Sequence, residues 1–294
     1  MAHTQHIRAV RRTLRREMPG TVGLIADAHD FTAMTRYRSF VFDDHGLYLR
    51  QVEGLLRSLS AQGAHTTVAL FDPDEFTAFC TSQGLDPDTP ASRTRFTAEL
   101  AADGACVAYA GQPIDSLVPQ LINKAVRKAT WEYATLLLAE AGDCAECGQD
   151  IGRDAFDRAS RLLLNLLEAA GPGTHHLVCS IPAQEEQLIA VLHAERTGSD
   201  PVRLDEADAA EFVTVLAAGI ARDSAGGLVL RTAEPDSPDR LHGWRLRQGH
   251  LGPLTEGEVF SAYCTDAETG EPLAPEPGVE YRPGFPVDHP DPHH

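Results

Sequence analysis

Lysine is almost absent from this 294-residue chain, with only Lys124 and Lys128 among 25 basic residues, which leaves 23 arginines. With 24 glycines and 19 prolines, that bias is what a GC-rich, actinobacterial-type genome produces, and it bears on source rather than mechanism. Long apolar runs are missing too. None approaches the ~20 residues that a membrane-crossing helix requires, and none follows the first arginines before Pro19-Gly20, so no secretory signal is expected. Six cysteines are too dilute to staple a chain of this length, so reduced thiols and a cytoplasmic location are expected. Catalytic signatures are equally scarce. There is no phosphate-binding Walker loop, no Gly-x-Ser-x-Gly elbow and no His-Glu-x-x-His pair. Gly20-Thr21-Val22-Gly23 leads into an apolar run instead of following one, as a dinucleotide-binding loop must.

What is present is the composition of a folded protein, 43% hydrophobic and 23% charged. The formal charge of −18 repels nucleic acid and anionic lipid, so neither is an expected partner outside the basic N-terminus. Residues 1–19 form an expected leader helix carrying Arg8, Arg11, Arg12, Arg15 and Arg16. Charge of the opposite sign gathers at the other end. Residues 200–294 hold 18 acids and 7 arginines, a net of −11.

Between residues 20 and 141, three short apolar runs alternate with amphipathic segments. Thr21–Ala26, Thr66–Phe71 and Ala105–Tyr109 read as strands. Helices are expected over His45–Leu59, Glu75–Cys80, Ser92–Ala102 and Asp115–Ala141. Strands separated by helical crossovers predict a parallel sheet covered by helices. Residues 142–222 read as a cysteine-containing link and an extension of that core. Helices are expected there over Arg153–Ala170, Glu185–Glu195 and Glu206–Ile220, and a strand over His175–Ser180. Residues 223–271 read as a small antiparallel region with short strands that include Glu258–Tyr263. Residues 272–294, rich in proline, acid and histidine, form a tail with no core-building run. The fold class expected is therefore α/β, three-layer and Rossmann-like with a mostly parallel sheet, plus a small mixed helical and antiparallel C-terminal region.

Three groups of residues could carry chemistry. Parallel sheets collect ligands beyond the carboxyl ends of their strands. Those ends supply Asp27, His29 and Asp30, then Asp72 and Asp74, then Tyr109, Gly111 and Gln112. Converging carboxylates suit Mg²⁺ and a water aimed at a phosphoester, with His29 as a base. The same acids also suit helix capping, as do Asp43 and Asp44. Next to the first strand end, Arg36, Tyr37 and Arg38 offer bidentate grips on phosphate or carboxylate and a stacking face.

The third group is Cys144-Ala145-Glu146-Cys147-Gly148, a spacing that points two sulfurs at one zinc ion. In a regular strand His175 and Cys179 share a face, which makes Cys144, Cys147, His175 and Cys179 the neatest four-ligand set for a structural Zn²⁺. The ~13 Å from 175 to 179 in an ideal strand argues that the pair recruits only one of them. Asp143 and Glu146 disfavour thiolates in the absence of metal.

The function expected is non-catalytic intracellular binding or regulation, with a small anionic ligand or a partner protein. A leucine-rich helix is available for a homodimer, and no membrane partner is expected. The alternatives are a Mg²⁺-dependent phosphoesterase or nuclease built on the strand-end acids, and a zinc-stabilised adaptor.

Overall fold

The computed structural model describes residues 20–184, 186–266 and 269–288. The basic leader over residues 1–19 and the last six residues of the tail lie outside them. Among the described residues the fold is mixed α/β, with eight helices and two mixed sheets. The chain divides into two compact units, one up to Lys128 and one from Ala129. No helix among the described residues is long and apolar enough to cross a membrane.

The first unit begins with β1 (Gly20–Leu24), α1 (Ala28–Met34), α2 (His45–Ala61), β2 (Thr66–Leu70), α3 (Pro73–Gln83), α4 (Pro90–Asp103) and β3 (Cys106–Ala108). α5 (Ile114–Ala139) starts here and continues past Lys128. Each early helix opens on a polar cap. Asp27, Asp44, Asp72 and Thr89 accept backbone N–H groups that the first turn would otherwise leave unpaired. Pro73 and Pro90 occupy the first turn, where a missing donor costs nothing.

β1 and β2 pair in parallel, from Gly20 opposite Thr66 to Leu24 opposite Leu70. β3 breaks the expected pattern by pairing antiparallel to β2, with Val68 opposite Val107. Two helices of similar length, α3 and α4, separate β2 from β3. The chain that leaves the carboxyl edge of β2 therefore returns to that same edge and runs back. Tyr109 consequently sits beside the start of β2, its amide bonded to the Thr66 carbonyl at 2.9 Å. Tyr109, Gly111 and Gln112 thus leave the sheet at the edge opposite Asp27 and Asp72. The core of this unit is rich in aromatic rings. Phe71, Phe76 and Phe96 meet edge-on or tilted at centroid separations of 5.1–5.6 Å, and Cys80 is sealed among the buried residues.

In the second unit, α6 (Ile151–Ala170) buries a stripe of Ala155, Ala159, Leu162, Leu163, Leu166 and Leu167. β4 (Gly173–Ala183) follows. Residues expected as a helix over Glu185–Glu195 form β5 (Glu186–Arg196), paired antiparallel with β4 along its whole length. The buried residues Leu188, Ala190, Leu192 and Ala194 alternate, which is the period of a strand with one face against the core. Next come β6 (Arg203–Leu204), α7 (Glu206–Ala221), β7 (Gly226–Ala233), β8 (Asp239–Arg247), β9 (His250–Pro253), α8 (Glu256–Tyr263) and β10 (Val279–Tyr281).

The sheet order is β10-β8-β7-β4-β5-β6, with β9 also on β8. All pairs are antiparallel except β10 with β8. The antiparallel region thus starts at Gly173 rather than near residue 223, and a mainly antiparallel sheet stands where extension of a parallel one was expected. The run Glu258–Tyr263, expected as a strand, lies in α8. Thr255 and Glu258 form a reciprocal capping box at its start. Part of the tail is seated against β8: the Trp244 indole N–H donates to the Phe285 carbonyl at 2.9 Å, and Val287 is buried.

Candidate functional site

The parallel pairing of β1 and β2 brings Asp27 and Asp72 to the same sheet edge. Both spend a carboxylate oxygen on helix amides. Asp27 accepts from Asp30 N–H at 2.9 Å, and Asp72 from the amides of Asp74 and Glu75 at 2.7 and 2.9 Å. The amide of Asp30 holds the Asp27 carboxyl below its usual range. Burial, then the charge of Asp27, pushes the Asp30 carboxyl up, and Asp72 adds a smaller push. His29 Nδ1 stands 3.5 Å from Asp30 Oδ1, with its ring 93% exposed. Asp27, His29 and Asp30 are the one group of three or more His, Cys, Asp or Glu among the described residues whose ligand atoms lie within 4.8 Å of one another. Asp74 is exposed in the first turn of α3 and is not part of that group.

Arg36, Tyr37 and Arg38 each have separate partners. Arg36 donates to the Ala33 carbonyl at 2.6 Å and lies 5.5 Å from the Tyr37 ring centre. Tyr37 faces inward, its hydroxyl 3.1 Å from that of Thr77 and its ring edge-on to Phe76, so it offers no stacking face. Arg38 contributes its charge and an amide to Asp88.

The residues immediately after them do build a pocket. A cavity of about 300 Å³ is lined by Gly23 and Ile25 at the end of β1, by Met34, by Ser39 to Phe42, by Tyr48 of α2, by Phe71 after β2, and by Arg93 and Thr97 of α4. Its walls are fixed from several sides. Tyr48 Oη accepts the Ile25 amide at 3.1 Å, and Ser39 N–H donates to Asp88 at 2.7 Å. Phe40, Phe42 and Tyr48 pack on one another at 5.1–6.1 Å. Arg93 is the charged group of this wall. It donates to the Ser39 hydroxyl at 2.7 Å and to the Ser39 carbonyl at 2.9 Å, neither of which is a carboxylate. Burial lowers its pKa, against the raising influence of Asp88 nearby. The residues singled out from the sequence ended at Arg38. The alternation Phe40-Val41-Phe42 directly before the Asp44 cap was the available signal, while nothing local distinguishes Arg93 from other helix arginines.

The cysteine pair lies in the turn between α5 and α6. Cys144 N–H donates to the Gln149 carbonyl at 2.7 Å, Gly148 N–H to the Cys144 carbonyl at 2.8 Å, and Ile151 N–H to the Gly142 carbonyl at 3.0 Å. Gly148 takes a φ of 71°, which a side chain would strain. The amides of Cys147 and Glu146 reach the Cys144 sulfur and lower its pKa, and they outweigh the opposing charge of Glu146. The acid that was expected to suppress a thiolate therefore contributes an amide that favours one. Cys147 is exposed and Cys144 half-buried.

His175 and Cys179 do share the inward face of β4, and they stay there. His175 donates from Nε2 to the Gly171 carbonyl at 3.0 Å and accepts from the Thr232 hydroxyl at Nδ1, 3.1 Å away. Both ring nitrogens are thus committed within the core. Burial pushes the Cys179 thiol up to about 12. The set Cys144, Cys147, His175 and Cys179 is not brought together.

Residues 9–112, about a third of the chain, match the family described as Domain of unknown function (DUF8829). The match spans the strand-end acids and the cavity and stops short of the cysteine turn. No curated protein and no solved structure matches the chain.

Proposed function

We propose that this chain is a non-catalytic binding protein whose first unit holds a small molecule with an apolar body and one anionic group. The observation that carries this reading is Arg93, a half-buried guanidinium whose hydrogen bonds among the described residues go to neutral Ser39 groups in the wall of an aromatic cavity. An arginine so placed retains unused donors for a carboxylate, sulfonate or phosphate, and its planar fork fits such groups bidentately. Phe40, Phe42, Tyr48 and Phe71 supply the apolar contact. The cavity opens beside the end of β1, the edge at which Rossmann-like sheets hold their ligands.

The alternative of a Mg²⁺-dependent phosphoesterase or nuclease draws on Asp27, Asp30, Asp72 and Asp74. Capping accounts for two of these acids, and the triad at Asp27 is open to solvent, so binding is the better supported reading.

The test compares two dyes of similar shape. Anilinonaphthalene sulfonate carries the anion; N-phenylnaphthylamine is its neutral counterpart. Removing a charge-assisted hydrogen bond costs about 1.5–3 kcal/mol, so Arg93→Met should weaken the sulfonate about 10- to 100-fold and leave the neutral dye bound. Equal loss of both dyes, or of neither, would refute the role given to Arg93.

A further inference from the structure

We propose that the Cys144–Cys147 turn is half of a zinc site, completed by the same turn of a second copy of this chain, so that one Zn²⁺ joins two molecules through four sulfurs. This inference is independent of the cavity in the first unit.

Zinc in structural sites takes four ligands in a tetrahedron, and a Cys-x2-Cys-Gly turn supplies two. Here the chain reversal between the two cysteines is closed by the Cys144–Gln149 and Gly148–Cys144 backbone bonds, with Gly148 in the left-handed region, so both sulfurs are carried on one tight turn. Cys147 is exposed, so a partner can reach it.

The described residues offer no third ligand to the pair, since the one multi-ligand group among them is at Asp27. His175 and Cys179 are locked in the core. A second copy supplies the two missing sulfurs with no new residue, in the isologous arrangement that most homodimers use.

Both flanking helices also carry exposed apolar side chains close to the turn. Leu136, near the end of α5, is 51% exposed, and Phe156, near the start of α6, is 37% exposed. In the absence of metal, Asp143, Glu146 and Asp150 disfavour approach of the like-charged turn of another copy. A zinc ion held by four thiolates still carries a net negative charge, so the zinc–sulfur bonds themselves have to outweigh that repulsion, which makes association metal-dependent. Zinc must displace the thiol protons, up to about four for two pairs, so the assembly weakens as pH falls.

The experiment uses the full chain, reduced with a phosphine and stripped with a chelator, then titrated with Zn²⁺ while mass is followed by light scattering. The expected result is a monomer of 31.8 kDa that doubles in mass on binding one zinc per two chains and reverts when the chelator returns. Cys144→Ser and Cys147→Ser should both stay monomeric and retain no zinc, with tryptophan emission and thermal unfolding unchanged. Three results would overturn the proposal. One is a monomer with one zinc per chain, which means the chain completes the site itself. Another is a dimer indifferent to chelator and to both substitutions. The last is no retained zinc.

Discussion

Gly152 stands where α6 begins, against the backbone of Leu138 near the end of α5. A Cβ placed there would lie 2.5 Å from the Leu138 carbonyl oxygen and 3.1 Å from its carbon. Real Cβ contacts stay beyond 3.0 Å, so the Gly152→Ala variant has to open the approach by at least 0.5 Å, the difference between 3.0 and 2.5. The obstacle is backbone, which no rotamer change can relieve. Overpacking of this kind costs about 1–3 kcal/mol. Alanine recovers at most about 1 kcal/mol of helix propensity, and less in a first turn. The net loss is about 1–2 kcal/mol, or about 2–8 °C in Tm for a unit of this size. Both tryptophans, Trp131 and Trp244, belong to the second unit, so urea unfolding followed by tryptophan emission reads that unit alone. Gly257 provides the control. It occupies the same second position in α8 with nothing within 4 Å of its would-be Cβ, and Gly257→Ala should be neutral or stabilising by up to about 1 kcal/mol. If Gly152→Ala is as stable as the parent, or both variants behave alike, the close approach does not determine stability.

Other expectations are as direct. His175 has its pKa lowered, chiefly by burial. The unfolded chain therefore protonates first, and stability that is full above about 6.5 falls as pH drops through the folded-state value. His175→Gln should flatten the stability–pH slope in that window by up to ~1.4 kcal/mol per pH unit; an unchanged slope rules the site out. Phe285 stacks edge-on to Trp244 at 4.8 Å, and Phe285→Ala should cost at least the ~0.5–1.5 kcal/mol of such a pair. It should also speed protease cleavage after Arg282, which a digestion time course reads. The dye comparison at Arg93 and the zinc titration at Cys144 and Cys147 test the two binding sites separately, because the first lies before Lys128 and the second after Ala129.

The first strands were legible because each is a short apolar run closed by an acid, and those acids do cap helices. The direction of β3 was misjudged although two helices were expected before it. A five-residue apolar run reads the same both ways, and it is the pairing with β2, Val68 opposite Val107, that fixes its direction. β5 was misread because Glu186–Arg196 is made of strong helix formers in which Leu188, Val191 and Leu192 fit a helical face. The alternation of Leu188, Ala190, Leu192 and Ala194 fits a strand equally well, and eleven pairings with β4 settle the choice. α8 erred in the other direction. Aromatic and β-branched residues suggested a strand, although Thr255-x-x-Glu258 already spelled a helix start. At the cavity, the arginines next to the strand in sequence turned out to be tied to local backbone or to Asp88, while Arg93 arrives from more than fifty residues away. No local pattern contains that contact. The cysteine turn was readable from its spacing, but the commitment of His175 to the core depends on partners at Gly171 and Thr232, and that of Cys179 on its complete burial.

Cys80 in the first unit and Cys179 in the second are the most enclosed of the buried thiols, ahead of Cys264, and both belong to the cores of their units. Burial pushes the Cys179 thiol up to about 12 and so keeps it protonated, and an alkylating reagent cannot reach it without the sheet parting from its helices. Once the outer thiols have been capped, any later uptake of label counts openings. Peptide mapping then says which half of the molecule opened, so the native chain carries its own pair of clocks.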